Sequence, residues 1–190
     1  MKIVIKILIG IAVFIALIYF VAIPYIHNEA KKFSPEKTAT LELGGGSLEV
    51  DYSSPSKKGR TIFGELVPYG KIWRTGANEP TTFTTTKQIK IIDKTLPAGR
   101  YSLWTIPNKD SWKVIFNTEI PEWGVTRVDG NQTTHEAKYD YLTIEVPTKK
   151  LEEPVEDLSI NFEDIEINNT SQNNLSLAWD TIKIMIPIYK

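Results

Sequence analysis

A chain of 190 residues with no cysteine, and with 22 basic against 23 acidic side chains, is excluded from several classes at once. It forms no disulfide, offers no thiolate nucleophile and builds no zinc–thiolate centre. Its net charge of −1 supplies no basic surface for nucleic acid.

The first element is apolar. Ile7 to Ile23 runs without a charge and with Tyr19 as its one strong hydrogen-bonding side chain. As a helix that run is ~26 Å long, and including Ile3, Val4 and Ile5 brings it to ~31 Å, the hydrocarbon thickness of a bilayer. Lys6 interrupts it near one end, where a long stem lets the ammonium snorkel to the headgroups. The run is too long for the apolar region of a cleavable signal, and Pro24 to Ala30 offers no small-x-small cleavage site. Residues 1–23 are therefore expected to be an uncleaved membrane anchor, with a cleaved signal as the alternative. Lys2 and Lys6 favour a cytoplasmic N-terminus. Lys31 and Lys32 flank the other side, but long C-terminal domains translocate largely regardless of such charges, so the domain is expected outside the cytoplasm. Residues 24–37 carry neither helical nor strand period and read as a short linker.

From Thr38 onward the period is two. Leu41 and Leu43 alternate with polar neighbours, Gly44-Gly45-Gly46 reads as a turn, and Leu48, Val50 and Tyr52 resume the alternation. The pattern recurs at Leu142, Ile144 and Val146, at Leu158, Ile160 and Phe162, at Leu175, Leu177 and Trp179, and at Ile182, Ile184, Ile186 and Ile188. These are half-buried strands between Gly, Pro and Asn turns. No long amphipathic helix follows the anchor, which argues against βαβ units. Residues 38–190 are thus expected to form one all-β domain, a β-sandwich or jelly roll. One hairpin is legible in register. Pro107-Asn108-Lys109-Asp110 is a strong turn sequence, and a four-residue loop there pairs Ile106 with Ser111. Tyr101, Leu103 and Thr105 then share a core face with Trp112, Val114 and Phe116, and Trp104 falls on the opposite face beside Lys113 and Ile115.

Two blocks carry a family resemblance. The first is Tyr52 to Gly64 with its continuation Leu66-Val67-Pro68-Tyr69-Gly70-Lys71-Ile72-Trp73-Arg74-Thr75-Gly76-Ala77-Asn78-Glu79. The second is Leu96-Pro97-Ala98-Gly99-Arg100-Tyr101-Ser102-Leu103-Trp104-Thr105-Ile106-Pro107, followed by Trp112 to Asn117 and Trp123-Gly124. Over residues 38–190 the chain resembles the bacterial family catalogued as domain of unknown function 2911. The resemblance implies an envelope-targeted all-β domain, and it brings no activity and no catalytic residues.

Gly59 to Glu79 is the densest mixture of polar and aromatic groups, and its glycines make it a structured excursion rather than a strand. Loops on a rigid scaffold are where binding groups concentrate. The candidate ligand-binding residues are Arg60, Lys71, Trp73, Arg74, Asn78 and Glu79 from this excursion, together with Trp104. Arg74 can hold a carboxylate or phosphate through two parallel hydrogen bonds. Asn78 and Glu79 can take sugar hydroxyls, and Trp73 or Trp104 can stack on a sugar ring. The competing reading is an internal Arg74–Glu79 pair with Trp73 plugging the core. Ser56-Lys57-Lys58-Gly59-Arg60 reads as a solvated basic turn.

Enzyme signatures are nearly absent. There is no G-x-S-x-G elbow, Walker loop or H-E-x-x-H, and the two histidines, His27 and His135, lie far apart in polar stretches. No metal or other cofactor is implied. A carboxylate pair drawn from Asp51, Glu65 and Glu79 would suffice for a glycosidase if the polar loop folds over the Leu48–Tyr52 strand. Glycosylation sequons at Asn131, Asn168, Asn169 and Asn174 are expected by chance in an Asn-rich chain. The leading expectation is a membrane-anchored, extracytoplasmic binding module for an envelope glycan or peptide. The alternatives are a scaffolding domain for another envelope protein and a carboxylate-based hydrolase.

Overall fold

A computed structural model describes residues 2–125, 133–167 and 170–190, in two compact units, residues 2–33 and 34–190. The sequons at Asn131, Asn168 and Asn169 lie outside the described residues.

The first unit is helical. Helix α1 (Lys2–Leu17) passes through a π-helical turn (Ile18–Ala22) into α2 (Ile23–Phe33). The widened turn, in which the Ile23 amide donates to the Ile18 carbonyl, sits immediately ahead of Pro24. Proline lacks an N–H and its ring collides with the carbonyl four residues back, so the ladder shifts to a five-residue bond there. Residues 24–33, expected to be a linker, continue the helix instead. Glu29, Ala30, Lys31 and Lys32 are strong helix formers, and Lys32 Nζ lies 2.5 Å from the Glu29 carboxylate one turn back. From Ile3 to Phe33 the helix is long and apolar enough to cross a membrane or to serve as a signal sequence.

The second unit is all-β, as expected. Its strands are β1 (Glu36–Leu43), β2 (Gly46–Ser53), β3 (Thr81–Thr85), β4 (Ile89–Ile91), β5 (Lys94–Leu96), β6 (Gly99–Pro107), β7 (Ser111–Asn117), β8 (Asp140–Ile167) and β9 (Thr170–Tyr189). They form one antiparallel sheet in the order β1-β2-β3-β6-β7-β8-β9-β4-β5, open and sandwich-like. The β1–β2 hairpin closes at Gly44 and Gly45, both with left-handed φ, as a two-residue turn requires. Strand β8 makes the fold turn over. Asp140 to Pro147 pairs with β7, and from Thr148 onward the strand pairs with β9. Register slips between Lys150 and Ser159 bend it where it changes partner.

The inward residues are those the period of two picked out. Leu48, Val50, Tyr52, Leu142, Ile144, Val146, Leu158, Ile160, Leu175, Leu177, Trp179, Ile184, Ile186 and Ile188 are all buried in one core. In β9 the inward phase switches from odd to even numbers between Trp179 and Ile182. Asp180, between them, has φ of +52° and absorbs the extra residue. The β6–β7 hairpin differs from expectation by two residues, with Ile106 opposite Lys113 and Pro107 opposite Trp112. Asn108 to Ser111 forms the loop, closed by the Asn108 amide on the Ser111 carbonyl. A slip of two preserves the faces, so Leu103, Val114 and Phe116 are in the core and Trp104 lies outside it, opposite Ile115.

Candidate functional site

The excursion between β2 and β3 divides into two parts with different duties. Its first half is structural. Ser56 Oγ lies 2.5 Å from Asp157 Oδ1, Lys57 pairs with Asp180, and the Lys58 amide donates to Glu156 Oε1 at 2.7 Å. The basic run is therefore moored to β8 and β9 rather than left in solvent. Arg60, though exposed, donates to the Lys57 and Ser56 carbonyls at 2.9 and 2.5 Å, which closes the turn. Ile62, Val67 and Trp73 then drop into the core.

Trp73 plugs that core. It stacks on Trp179 at 5.9 Å, meets Trp112 and Phe63 edge-on, and donates its indole N–H to the Gly76 carbonyl at 3.0 Å. Its ring is not a platform for a sugar. Trp104 is 1 % exposed, donates to Ser102 Oγ at 2.8 Å and meets the His135 ring edge-on. Asn78 is also buried. Its left-handed backbone turns the loop, and its side-chain amide faces the Ser34 carbonyl and Ser53 Oγ at 3.4 Å. Lys71 is exposed. Among the described residues no ion pair joins Arg74 to Glu79.

One candidate, Glu79, reaches a cleft. The cleft is about 400 Å³ in volume and lies over the outward face of β1, β2, β3 and β6. Its floor follows from strand register. Thr38 opposes Asp51, and Asp51 opposes Thr82, so their side chains form a polar row across three strands. Thr38 donates to Asp51 at 2.7 Å, and Arg100 donates to Thr82 Oγ1 at 3.3 Å with its guanidinium 4.0 Å from Asp51. Glu79 and Pro80 form one wall, Glu36 and Lys37 another, and Ile120, Pro121 and Glu122 a third. The four carboxylates outnumber the two cations, and the one aromatic in the lining, Tyr52, is buried. Of the three candidate acids, Asp51 and Glu79 line this cleft and Glu65 does not.

Sequence reasoning missed Arg100 as a site residue and left His135 in a polar stretch without a role. His135 Nε2 lies 2.6 Å from Asp140 Oδ1, and Asn117 Nδ2 donates to the same carboxylate oxygen at 2.8 Å. The His135 side chain is only 8 % exposed. Alternation along β6 does place Arg100 on the polar face with Ser102, which was the available signal for it. His135 gave none, because its partners come from two other strands. No group of three or more His, Cys, Asp or Glu among the described residues is arranged to hold a metal ion.

Residues 34–188 match the family described as Protein of unknown function (DUF2911). The chain belongs to that family. No curated protein and no solved structure matches it. The DUF2911 match begins at Ser34, where the helical unit ends, and so covers the all-β unit that carries the cleft.

Proposed function

We propose that this DUF2911 protein is a binding module held at a membrane by its N-terminal helix, and that it takes a hydroxyl-rich glycan in the β1–β2–β3–β6 cleft. The observation that carries the reading is the row Thr38–Asp51–Thr82 with Arg100 at its end. It presents donors and acceptors side by side on strands whose other face is packed core, so the groups are pre-positioned at little entropic cost. An excess of carboxylates disfavours polyanions. With no exposed ring in the lining, the ligand would be gripped by hydrogen bonds rather than by stacking. The helix supports the location: Ile3 to Ile23 matches the bilayer core, and Lys2 and Lys6 suit a cytoplasmic N-terminus with the domain outside.

The test is binding of the full-length protein, in detergent micelles, to an array of soluble bacterial cell-wall glycans. Binding should be lost in Asp51→Asn and in Arg100→Ala. A folded protein that binds no glycan, or binding that survives both substitutions, overturns the proposal.

A second reading has its own observation. Asp51 and Glu79 line the same cleft, as a carboxylate-based hydrolase requires. It calls for release of new reducing ends from a bound glycan, abolished by Glu79→Gln with binding retained. Intact glycan after prolonged incubation with wild-type protein would exclude it.

A further inference from the structure

Arg74 sits in surroundings that its role in the fold does not explain. The antiparallel bridge between Trp73 and Thr105 turns both residues inward. One residue further on, Arg74 lies opposite Trp104 on the outward face. Its Nε is buried without a hydrogen-bond partner, and among the described residues no carboxylate or carbonyl engages the guanidinium. Burial lowers its pKa below the ordinary guanidinium value. A part-buried cation whose Nε lacks a hydrogen bond, with no counter-charge among the described residues, costs stability, so something else keeps it there.

The neighbours hold the position open. A Cβ at Gly124 would lie 2.1 Å from Arg74 Cδ, so the arginine stem occupies the space that a side chain at 124 would need. The Gly124 amide donates to the Asn78 carbonyl at 3.1 Å. Thr75 and Asn78, on either side of the Gly76-Ala77 turn, both have left-handed backbones, with φ of +59° and +57°. Thr75 is fully buried. Its hydroxyl lies 3.2 Å from Thr105 Oγ1, and its carbonyl accepts from Thr81 Oγ1 at 2.8 Å. Strained backbone held by this many contacts is characteristic of segments that position a functional group.

We propose that Arg74 is the receptor for a ligand carboxylate. The planar guanidinium fork matches a carboxylate through two parallel hydrogen bonds. One cation balances one negative charge, and the segment bearing Gly124 also bears Glu119 and Glu122, which disfavours a doubly charged phosphate. The carboxylate is that of a peptide C-terminus or of a uronic acid. This site is separate from the glycan reading of the cleft and does not depend on it.

The test uses the full chain in detergent, at ionic strength held constant with sodium chloride. The probes are N-acetyl-alanyl-alanine against its C-terminal amide, and methyl glucuronide against methyl glucoside. One of the two acids should raise the thermal midpoint by several degrees at saturation, its neutral partner should not, and the responding pair identifies the source of the carboxylate. Arg74→Gln should abolish the rise while melting no lower than wild type, because it removes a part-buried cation with no counter-charge among the described residues. Arg74→Lys, which keeps charge but loses the fork, should weaken binding at least tenfold. Asp51→Asn, which disables the cleft, should leave the acid-dependent rise intact. An equal rise with the neutral probe, a rise that survives Arg74→Gln, no rise with either acid, or an Arg74→Gln protein that melts lower than wild type overturns the proposal.

Discussion

The two faces of strands β2, β3 and β6 are filled by opposite rules. Inward, Val50, Phe83 and Leu103 are fully buried, Phe83 meets Phe116 edge-on at 5.3 Å, and the indole N–H of Trp73 is satisfied by the Gly76 carbonyl. Outward, Asp51, Thr82 and Arg100 carry a carboxylate, a hydroxyl and a cation, and on the excursion bridged to β6 Arg74 Nε finds no partner among the described residues. Side chains on successive residues of a strand point to opposite faces, so one short stretch of chain serves both ends. Trp73 and Arg74 are the sharpest instance: adjacent in sequence, one is locked into the core and the other is only part-buried, its Nε unpaired among the described residues. The inward face sets stability, and the outward face can carry recognition without disturbing it.

Substitutions should separate the two faces. The largest effect is expected for Trp73→Ala, which removes the ring stacked on Trp179. It should cost about 3–5 kcal/mol, read as a fall of roughly 10 °C in the thermal midpoint. A loss under about 1 kcal/mol would show that the core does not depend on this plug. Gly124→Ala comes next, at about 1–3 kcal/mol, because its new methyl collides with the Arg74 stem. Adding Arg74→Ala should recover most of that loss. Additive costs in the double-mutant cycle would deny the contact.

A smaller effect is expected at Glu163, a carboxylate that Lys183 and Ser176 both hydrogen-bond. Burial pushes its carboxyl up, but hydrogen bonds from Lys183 and Ser176 and the charges of Lys183 and Lys149 outweigh this and hold it below the ordinary value. A lowered carboxyl pKa contributes stability above the unfolded value and loses it as pH falls through the folded one. Wild type should therefore lose more stability than Glu163→Gln between about pH 5 and pH 2, measured by urea unfolding. Identical pH profiles would show the pair to be solvent-screened. The smallest effect belongs to the cleft. Asp51→Asn should move stability by no more than about 0.5 kcal/mol, and a larger loss would make the polar row part of the scaffold.

Much of this fold was legible from alternation alone. Leu48, Val50 and Tyr52, or Ile184, Ile186 and Ile188, announce their face because a strand repeats every two residues and water sorts apolar from polar side chains. The same rule put Trp104 outside the main core despite a two-residue error in hairpin register. It could not say that Trp104 would be buried with the His135 ring edge-on against it, because covering depends on chain from elsewhere. Within the expected linker at 24–37, residues 24–33 are helical for a related reason: without an apolar period, the evidence for a helix lies in residue propensities and the Glu29–Lys32 pair.

The candidate site was legible as a region and not as an arrangement. Composition marked Gly59 to Glu79, yet Arg60 became a turn closure, Trp73 a core plug and Asn78 a loop anchor, while Glu79 came to line a cleft with Asp51 and Arg100. By itself the sequence determined an apolar N-terminal helix, an all-β domain and the inward face of its long strands, since these rest on local period and hydropathy. Only the tertiary structure decided which polar groups meet, because Thr38, Asp51, Thr82 and Arg100 become neighbours through strand pairing. It also left Arg74 Nε without a hydrogen-bond partner among the described residues, because a side chain's partners depend on which distant segments the chain folds against it.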